Sequence, residues 1–335
     1  MTRFVISAAV AWLVLTAGLA QTRGGKKGFP QPEPAREVVV QQIPAVIAAG
    51  SKWKLAWQGT DNADGIIGSS DGGLLFAQEQ PSRVRKLDTN DKVSVFLEDT
   101  HGTGALAIDS KGRILGVERT CTDPGGKPDQ CAEPTAVAVL APERKILANS
   151  FQGHSLGRLN DLMVDKRGGI YFNGAGTFYL NPAGQVAPIG ENLRTNGILL
   201  SRDEKLLYVT NGAEIVAFDI QSDGTVKNQR ILGKLEAGGA GDGMAIDSEG
   251  RLYVSSRPGI QVLTPDGKYL GLIPTPREAI SAAFSGPGKK TLYIVSSGAL
   301  GPDGNEFRTP EGVRNNAKTI YKIGMIAQGF FGRAK

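Results

Sequence analysis

Two aspartates and two asparagines, Asp64, Asn160, Asn196 and Asp242, occupy equivalent places in the chain: each stands at the head of a short apolar run, followed by a turn and a second apolar run. Turn chemistry requires no polar group there. Brought to one axis, the four would present two carboxylates and two amides, an all-oxygen set that suits a hard divalent cation and balances its charge. A roomy, irregular cage of this kind favours Ca2+, with Mg2+, Mn2+ or Zn2+ as alternatives. Singly, each could instead cap a strand end by hydrogen-bonding a backbone N–H. Convergence favours the metal, because two unbalanced Asp charges in a narrow channel would be costly.

The elements that would bring them together are six copies of one pattern, opening at Asp64, Gly104, Asn160, Asn196, Asp242 and Ile280. Each copy is an apolar run, a turn rich in Asp, Ser and Gly, and another apolar run, the signature of a β-hairpin. The starts lie 40, 56, 36, 46 and 38 residues apart, close to the length of one four-stranded propeller blade. The fold predicted is all-β, a six-bladed β-propeller over residues 51–335, with "KWKLAWQG" or "KTIYKIGMI" completing the last blade. Within the turns Asp109, Asp165 and Asp247 are each followed three residues later by Gly112, Gly168 and Gly250. Those carboxylates belong to the turns, which want an Asx side chain and a positive-φ glycine.

Around the ring positions stand further polar groups. Gly65, Gly197 and Gly243 occupy the second position of three copies, whereas the third copy places Asp161 there, a second candidate proton acceptor. Arg158 lies two residues before Asn160. Because hairpin strands are antiparallel, the ends of the second strands return to the same face, bringing Glu79, Glu118 and Arg119 within reach. Each of these four could equally form an ordinary salt bridge at the rim.

Composition narrows the class. The net charge of +5 is spread over 335 residues with no run of five Lys/Arg, which argues against a nucleic-acid face. Arg3, the apolar run Phe4 to Ala20 and the small residues before Gln21 have the layout of a secretory signal peptide over residues 1–20, so an exported protein, periplasmic or secreted, is expected. Seventeen apolar residues is short for a membrane span, and no membrane partner is expected once the segment is cleaved. Residues 21–50, with four prolines, read as a flexible leader. Cys121 and Cys131 sit in a Pro/Gly/Asp-rich loop, at a spacing that matches no zinc site and with no His nearby, so in an exported protein a short disulfide is expected. There are two histidines, His101 and His154; neither a nucleophile elbow nor a glycine-rich phosphate loop is expected. A closed propeller leaves few free sheet edges, so a monomer is expected.

The segments "GRLNDLMVDKRGGIYF", "RTNGILLSRDEKLLYVTN", "GDGMAIDSEGRLYVSS" and "ISAAFSGPGKKTLYIVSS" together resemble the senescence marker protein, gluconolactonase and luciferin-regenerating-enzyme family, the regucalcin-like six-bladed propellers, over about residues 53–325. The resemblance implies a divalent metal on Asp64, Asn196 and Asp242, and Asn160 on metal or substrate. It also implies Arg158 on substrate and Asp242 as general base. One departure stands out: the family's first-blade ligand is usually Glu in "EGP", and here it is Asp64 in "DGI", a carboxylate one methylene shorter. Ring and resemblance agree on a metal-dependent hydrolase of sugar-type lactones, with Asp242 or Asp161 taking the proton of water and Arg158, Asn160, Glu118 and Arg119 binding substrate. Two alternatives stay open: a non-catalytic exported propeller that binds a sugar or protein around a structural Ca2+, and an arylesterase-like hydrolase, which usually employs a His pair. An open coordination position would separate the first alternative from the lactonase.

Overall fold

Six four-stranded antiparallel sheets stand around one axis, together with a small hairpin of Ser150–Phe151 against His154–Ser155. This is a computed structural model, and it describes residues 29–120 and 133–335. The expected signal peptide and the Cys121–Cys131 pair lie outside the described residues. Blades I to V occupy residues 66–97, 103–148, 162–188, 195–234 and 244–274, and within each the strands follow one another outward from the axis. Blade VI takes its first three strands, Ala279–Ser285, Thr291–Ser297 and Lys318–Gly324, from the end of the chain, and its outermost, Lys54–Gly59, from the beginning. Both segments offered as completing the last blade are therefore used, one beside the other, and the ring is clipped shut by their backbone hydrogen bonds.

The inner strands are short and buried on both faces because each blade is sandwiched between two others. Alternation along a strand then sends successive side chains to different neighbours: in Met244–Ile246, Met244 and Ile246 pack with blade IV, while Ala245 packs with blade VI. Such strands read as continuous apolar runs, since neither face meets water. The turn aspartates behave as expected. Asp109 Oδ1 accepts from Lys111 N and Arg113 N, both at 2.9 Å, and Asp165 and Asp247 repeat the arrangement. The glycines that follow have φ of +76°, +91° and +81°, which an L side chain would strain.

The expected flexible leader is corrected by the packing of residues 29–50. Val40, Ile43, Val46 and Ile47 are buried among Tyr253, Ile260, Val262 and Ile273 of blade V, and each such side chain stabilises by about 1.5–3 kcal/mol. Its prolines accompany a docked strap rather than a loose tether. At the opposite end of the chain, residues 325–335 cross the turn end of the channel. Phe330 N donates to Ile246 O (3.1 Å), Gly329 N to Lys289 O (2.8 Å) and Gly68 N to Ala334 O (2.6 Å).

Candidate active site at one mouth of the channel

The heads of the inner strands meet at the end of the channel away from the hairpin turns. There Asp64, Asn160, Asn196 and Asp242 line one cavity of about 210 Å3, with Ile280 as its apolar member. Three larger hollows, of about 790, 630 and 250 Å3, lie on the outer strands of blade IV, at the turn end and against the outer strands of blade VI, and contain none of the four. The ring is tight. A Cβ on Gly197 would lie 2.2 Å from the Asp242 carbonyl oxygen, and one on Gly65 would lie 2.5 Å from Ala105 Cα. The Gly after the polar residue is thus fixed by the approach of neighbouring inner strands.

Arg119 organises the mouth. Its Nη1 donates to Asp64 Oδ2 (2.6 Å) and to Glu79 Oε2 (2.7 Å), its Nε to the Leu159 carbonyl (2.8 Å), and its Nη2 to Asn160 Oδ1 (3.1 Å). Burial works against the guanidinium charge, but Asp64 and Glu79 outweigh it and hold Arg119 above the usual arginine range. The second blade carries Gly104 at the ring position for a steric reason: a Cβ there would sit 2.0 Å from Arg119 Cζ. Glu79, 1 % exposed, also accepts from Arg158 Nη2 on both carboxylate oxygens. Two arginines are in this way fixed by one buried acid, with Arg158 at the cavity wall.

Asn160 spends its side chain within the ring, its Oδ1 on Arg119 and its Nδ2 on Asn196 Oδ1. Asp242 is treated differently. Among the described residues no side chain donates to its carboxylate, and burial, followed by the charges of Asp64 and Asp161, pushes its pKa well above the usual carboxylate range. An uncompensated carboxylate facing a cavity, beside Asp64 and the Asn196 amide, forms an oxygen-only donor set that a hard cation would neutralise. Arg119 engages only one oxygen of Asp64. On these observations the residues present fit a divalent cation.

Two expected site residues are not there. Asp161, 7 % exposed, turns into the channel: its Oδ2 accepts from Ile198 N (3.1 Å), and its Oδ1 accepts from Leu162 N (2.9 Å) and Lys335 Nζ. It braces blade III against blade IV and cannot serve as a base at the mouth. Glu118 is buried and held bidentately by Arg144, at 2.8 Å from both Nε and Nη2. Neighbours on a strand point to opposite faces, so with Arg119 at the axis Glu118 must point away, a signal the sequence already contained. Neither histidine lines the cavity; His101 Nδ1 lies 3.2 Å from Glu133, and His154 is exposed on the small hairpin. The expectation that the chain lacks a nucleophile elbow needs amending, since Gly153-His154-Ser155-Leu156-Gly157 has the G-x-S-x-G spacing. It forms no elbow: Ser155 is exposed, its Oγ accepts from Gly157 N at 3.2 Å, and no helix follows. Residues missed by sequence include Asn62, Gln80 and Ser297, together with Arg314 and Asn316 from the blade VI loop and Lys318 at the head of the strand that follows it.

The family described as SMP-30/Gluconolactonase/LRE-like region matches residues 70–298. The gluconolactonase of Zymomonas mobilis is 27 % identical over 297 residues, 75 % of this chain and 78 % of that one. A pentonolactonase of Haloferax volcanii is 28 % identical over 187 residues, 51 % of this chain and 64 % of its own. Among solved structures, the fold is shared with a gluconolactonase from Xanthomonas campestris (TM-score 0.65, 21 % identity, 90 % of this chain and 99 % of that one). It is shared too with the calcium-binding protein regucalcin from Agrobacterium tumefaciens (TM-score 0.63, 15 % identity, 84 % and 96 %).

Proposed function

Because the chain belongs to the SMP-30/gluconolactonase/LRE-like family, we propose that it is an exported, divalent-metal-dependent lactonase that opens sugar-type lactones at the Asp64–Asn196–Asp242 mouth. Similarity to lactonases supports the reaction class. The single observation that carries the site assignment is Asp242, a carboxylate that faces the cavity with no donor side chain and a raised pKa.

Asp64, Asn196 and Asp242 would hold the cation, which when bound supplies Lewis-acid polarisation of the lactone carbonyl. The chain's own contribution follows from the geometry. Asp242 faces the cavity with no side-chain donor on its carboxylate among the described residues, so an oxygen remains to accept a proton there. Asp242 takes a proton from the attacking water as the new C–O bond forms at the carbonyl carbon. When the ring C–O bond breaks, the same carboxyl returns the proton to the departing alkoxide, and the product is the open hydroxy acid. Arg158, fixed by Glu79, faces sugar hydroxyls with little side-chain freedom left to lose, so orientation is largely provided in advance, whereas Arg119, expected from the sequence to bind substrate, spends its N–H groups on Asp64, Glu79, Leu159 and Asn160 and positions the ring instead. Asn160 keeps Arg119 and Asn196 in register.

The test is proton release from D-glucono-1,5-lactone by protein stripped with chelator and then given Ca2+, Mn2+ or Zn2+. Restored hydrolysis is expected. Metal that raises the melting temperature while no lactone turns over would sink the lactonase reading in favour of a binding propeller with a structural ion.

A further inference from the structure

The mouth carries more positive charge than its acids use. Arg119 and Arg158 are bound by Asp64 and Glu79. Arg314 and Lys318 line the same cavity, and among the described residues neither has an ion-pair partner within 4 Å. We propose that this pair is an anion subsite, and that the preferred lactone carries an anionic substituent, a carboxylate or a phosphate, remote from the ester carbonyl. The inference rests on the lactonase reading above and specifies its substrate.

Three observations support it. First, Lys318 is half-buried at the head of its strand and faces the ring acids without touching them; a neutral polyol would leave its ammonium short of a counter-charge. Second, any cation bound by Asp242 would use the acid charge that now attracts Lys318, increasing the need for an anion there. Third, the loop that brings Arg314 and Asn316 to the mouth is built rather than loose. The buried Asn315 between them donates to Gln31 Oε1 (3.0 Å) and to Phe307 O (2.8 Å), and Gln31 also donates to Thr309 Oγ1 (3.0 Å). Glu306 in the same loop is tied to the buried Arg277 at 2.7 Å and accepts from Ala35 N at 3.2 Å. The docked strap therefore pins the loop that supplies the subsite.

The experiment compares matched substrates. D-glucaro-1,4-lactone and D-glucono-1,4-lactone differ only at C6, carboxylate against hydroxymethyl; 6-phosphoglucono-1,5-lactone and D-glucono-1,5-lactone form the corresponding phosphate pair. On the full chain, one anionic member should exceed its neutral partner in kcat/KM by about tenfold or more, the usual size of one charge-assisted interaction. Whichever pair shows the ratio identifies the anion. In Lys318→Met and Arg314→Ala the ratio should fall towards one, whatever happens to either rate alone. Lys318→Arg, which keeps the charge, should keep most of the preference and so separates charge from folding. Ratios near one for both pairs, or a ratio unmoved by Lys318→Met, would overturn the subsite while leaving the lactonase intact. If no lactone turns over, the lactonase reading fails; calorimetry with the same unhydrolysed pair, D-glucaro-1,4-lactone against D-glucono-1,4-lactone, then decides the charge preference, equal affinities overturning it.

Discussion

At the turn end of the channel Lys335 donates to Asp161, and Arg333 reaches both Glu204 (3.0 Å) and the Ser201 carbonyl (3.1 Å). At the other end Asp242 has no donor side chain, and Lys318 and Arg314 no acid partner, among the described residues. The same residue types are present at both ends of one tunnel. A folded chain ordinarily pairs the charges it buries, because an unpaired one costs several kcal/mol. The turn end, closed by residues 325–335, obeys that rule at Asp161 and Glu204, with Lys289 answered there by carbonyl oxygens alone. The mouth breaks it, and unpaired charge in a cavity is charge held for something that is not part of the chain. The difference shows why Asp161 and Asp242, both acids near the heads of inner strands, have different work: Asp161 is answered by its own protein and Asp242 is not.

The largest effect expected is at the mouth. Asp242→Asn should lower kcat by about 10^3-fold, within the usual range for removing a general base. In chelator-stripped protein its melting temperature should hold or rise, because the change removes a charge that Asp64 and Asp161 repel; calorimetry of the stripped protein beside a pH-stat assay of the metal-loaded protein would show both. A stability loss with activity retained would reverse the contrast between the two ends. Glu79→Gln comes next, since one buried carboxylate restrains two guanidiniums. About 3–5 kcal/mol of unfolding free energy should go, seen as a lower urea midpoint, with turnover falling as Arg158 and Arg119 lose their anchor. Asp161→Asn should cost about 3 kcal/mol while the folded fraction turns over near the unaltered rate. A drop in kcat like that of Asp242→Asn would return Asp161 to the mechanism.

The smallest effect belongs to Lys289, which lies at the closed end and donates to the Phe330 and Arg333 carbonyls. Burial lowers its pKa from 10.5 to about 8. The unfolded chain therefore holds this proton to higher pH than the folded one, and stability should rise as pH climbs from about 8 towards 10.5, by at most about 1.4 kcal/mol per pH unit. Lys289→Met should lack this contribution, so the difference in unfolding free energy between the two proteins should rise with pH over that window. A difference that stays flat with pH would mean that the amine meets water.

Much of this architecture is written locally. Hairpin turns need Asx and positive-φ glycine within a few residues, so Asp109, Asp165 and Asp247 announce themselves, and the repeat they punctuate gives the blade number. Ring positions follow because every blade begins alike. The lining of the candidate cavity was legible where it lies on that repeat, as with Asp64, Asn196 and Asp242, and illegible where it departs from it. Arg314 arrives from a loop anchored by Gln31, some 280 residues earlier in the chain, and Lys318 heads the strand that follows that loop. Glu118 was misplaced because its partner Arg144 lies across the blade. Asp161 was misplaced because the amine that claims it enters from the other end of the channel.

What the sequence determined by itself is therefore the period, the turns and the oxygen atoms at the head of each blade, all set by interactions spanning one hairpin. Tertiary structure decided which charges are answered. Pairing depends on side-chain direction and on residues distant in the chain, such as Arg119 filling the space that Gly104 leaves, and it becomes fixed only when the ring closes and neighbouring blades pack.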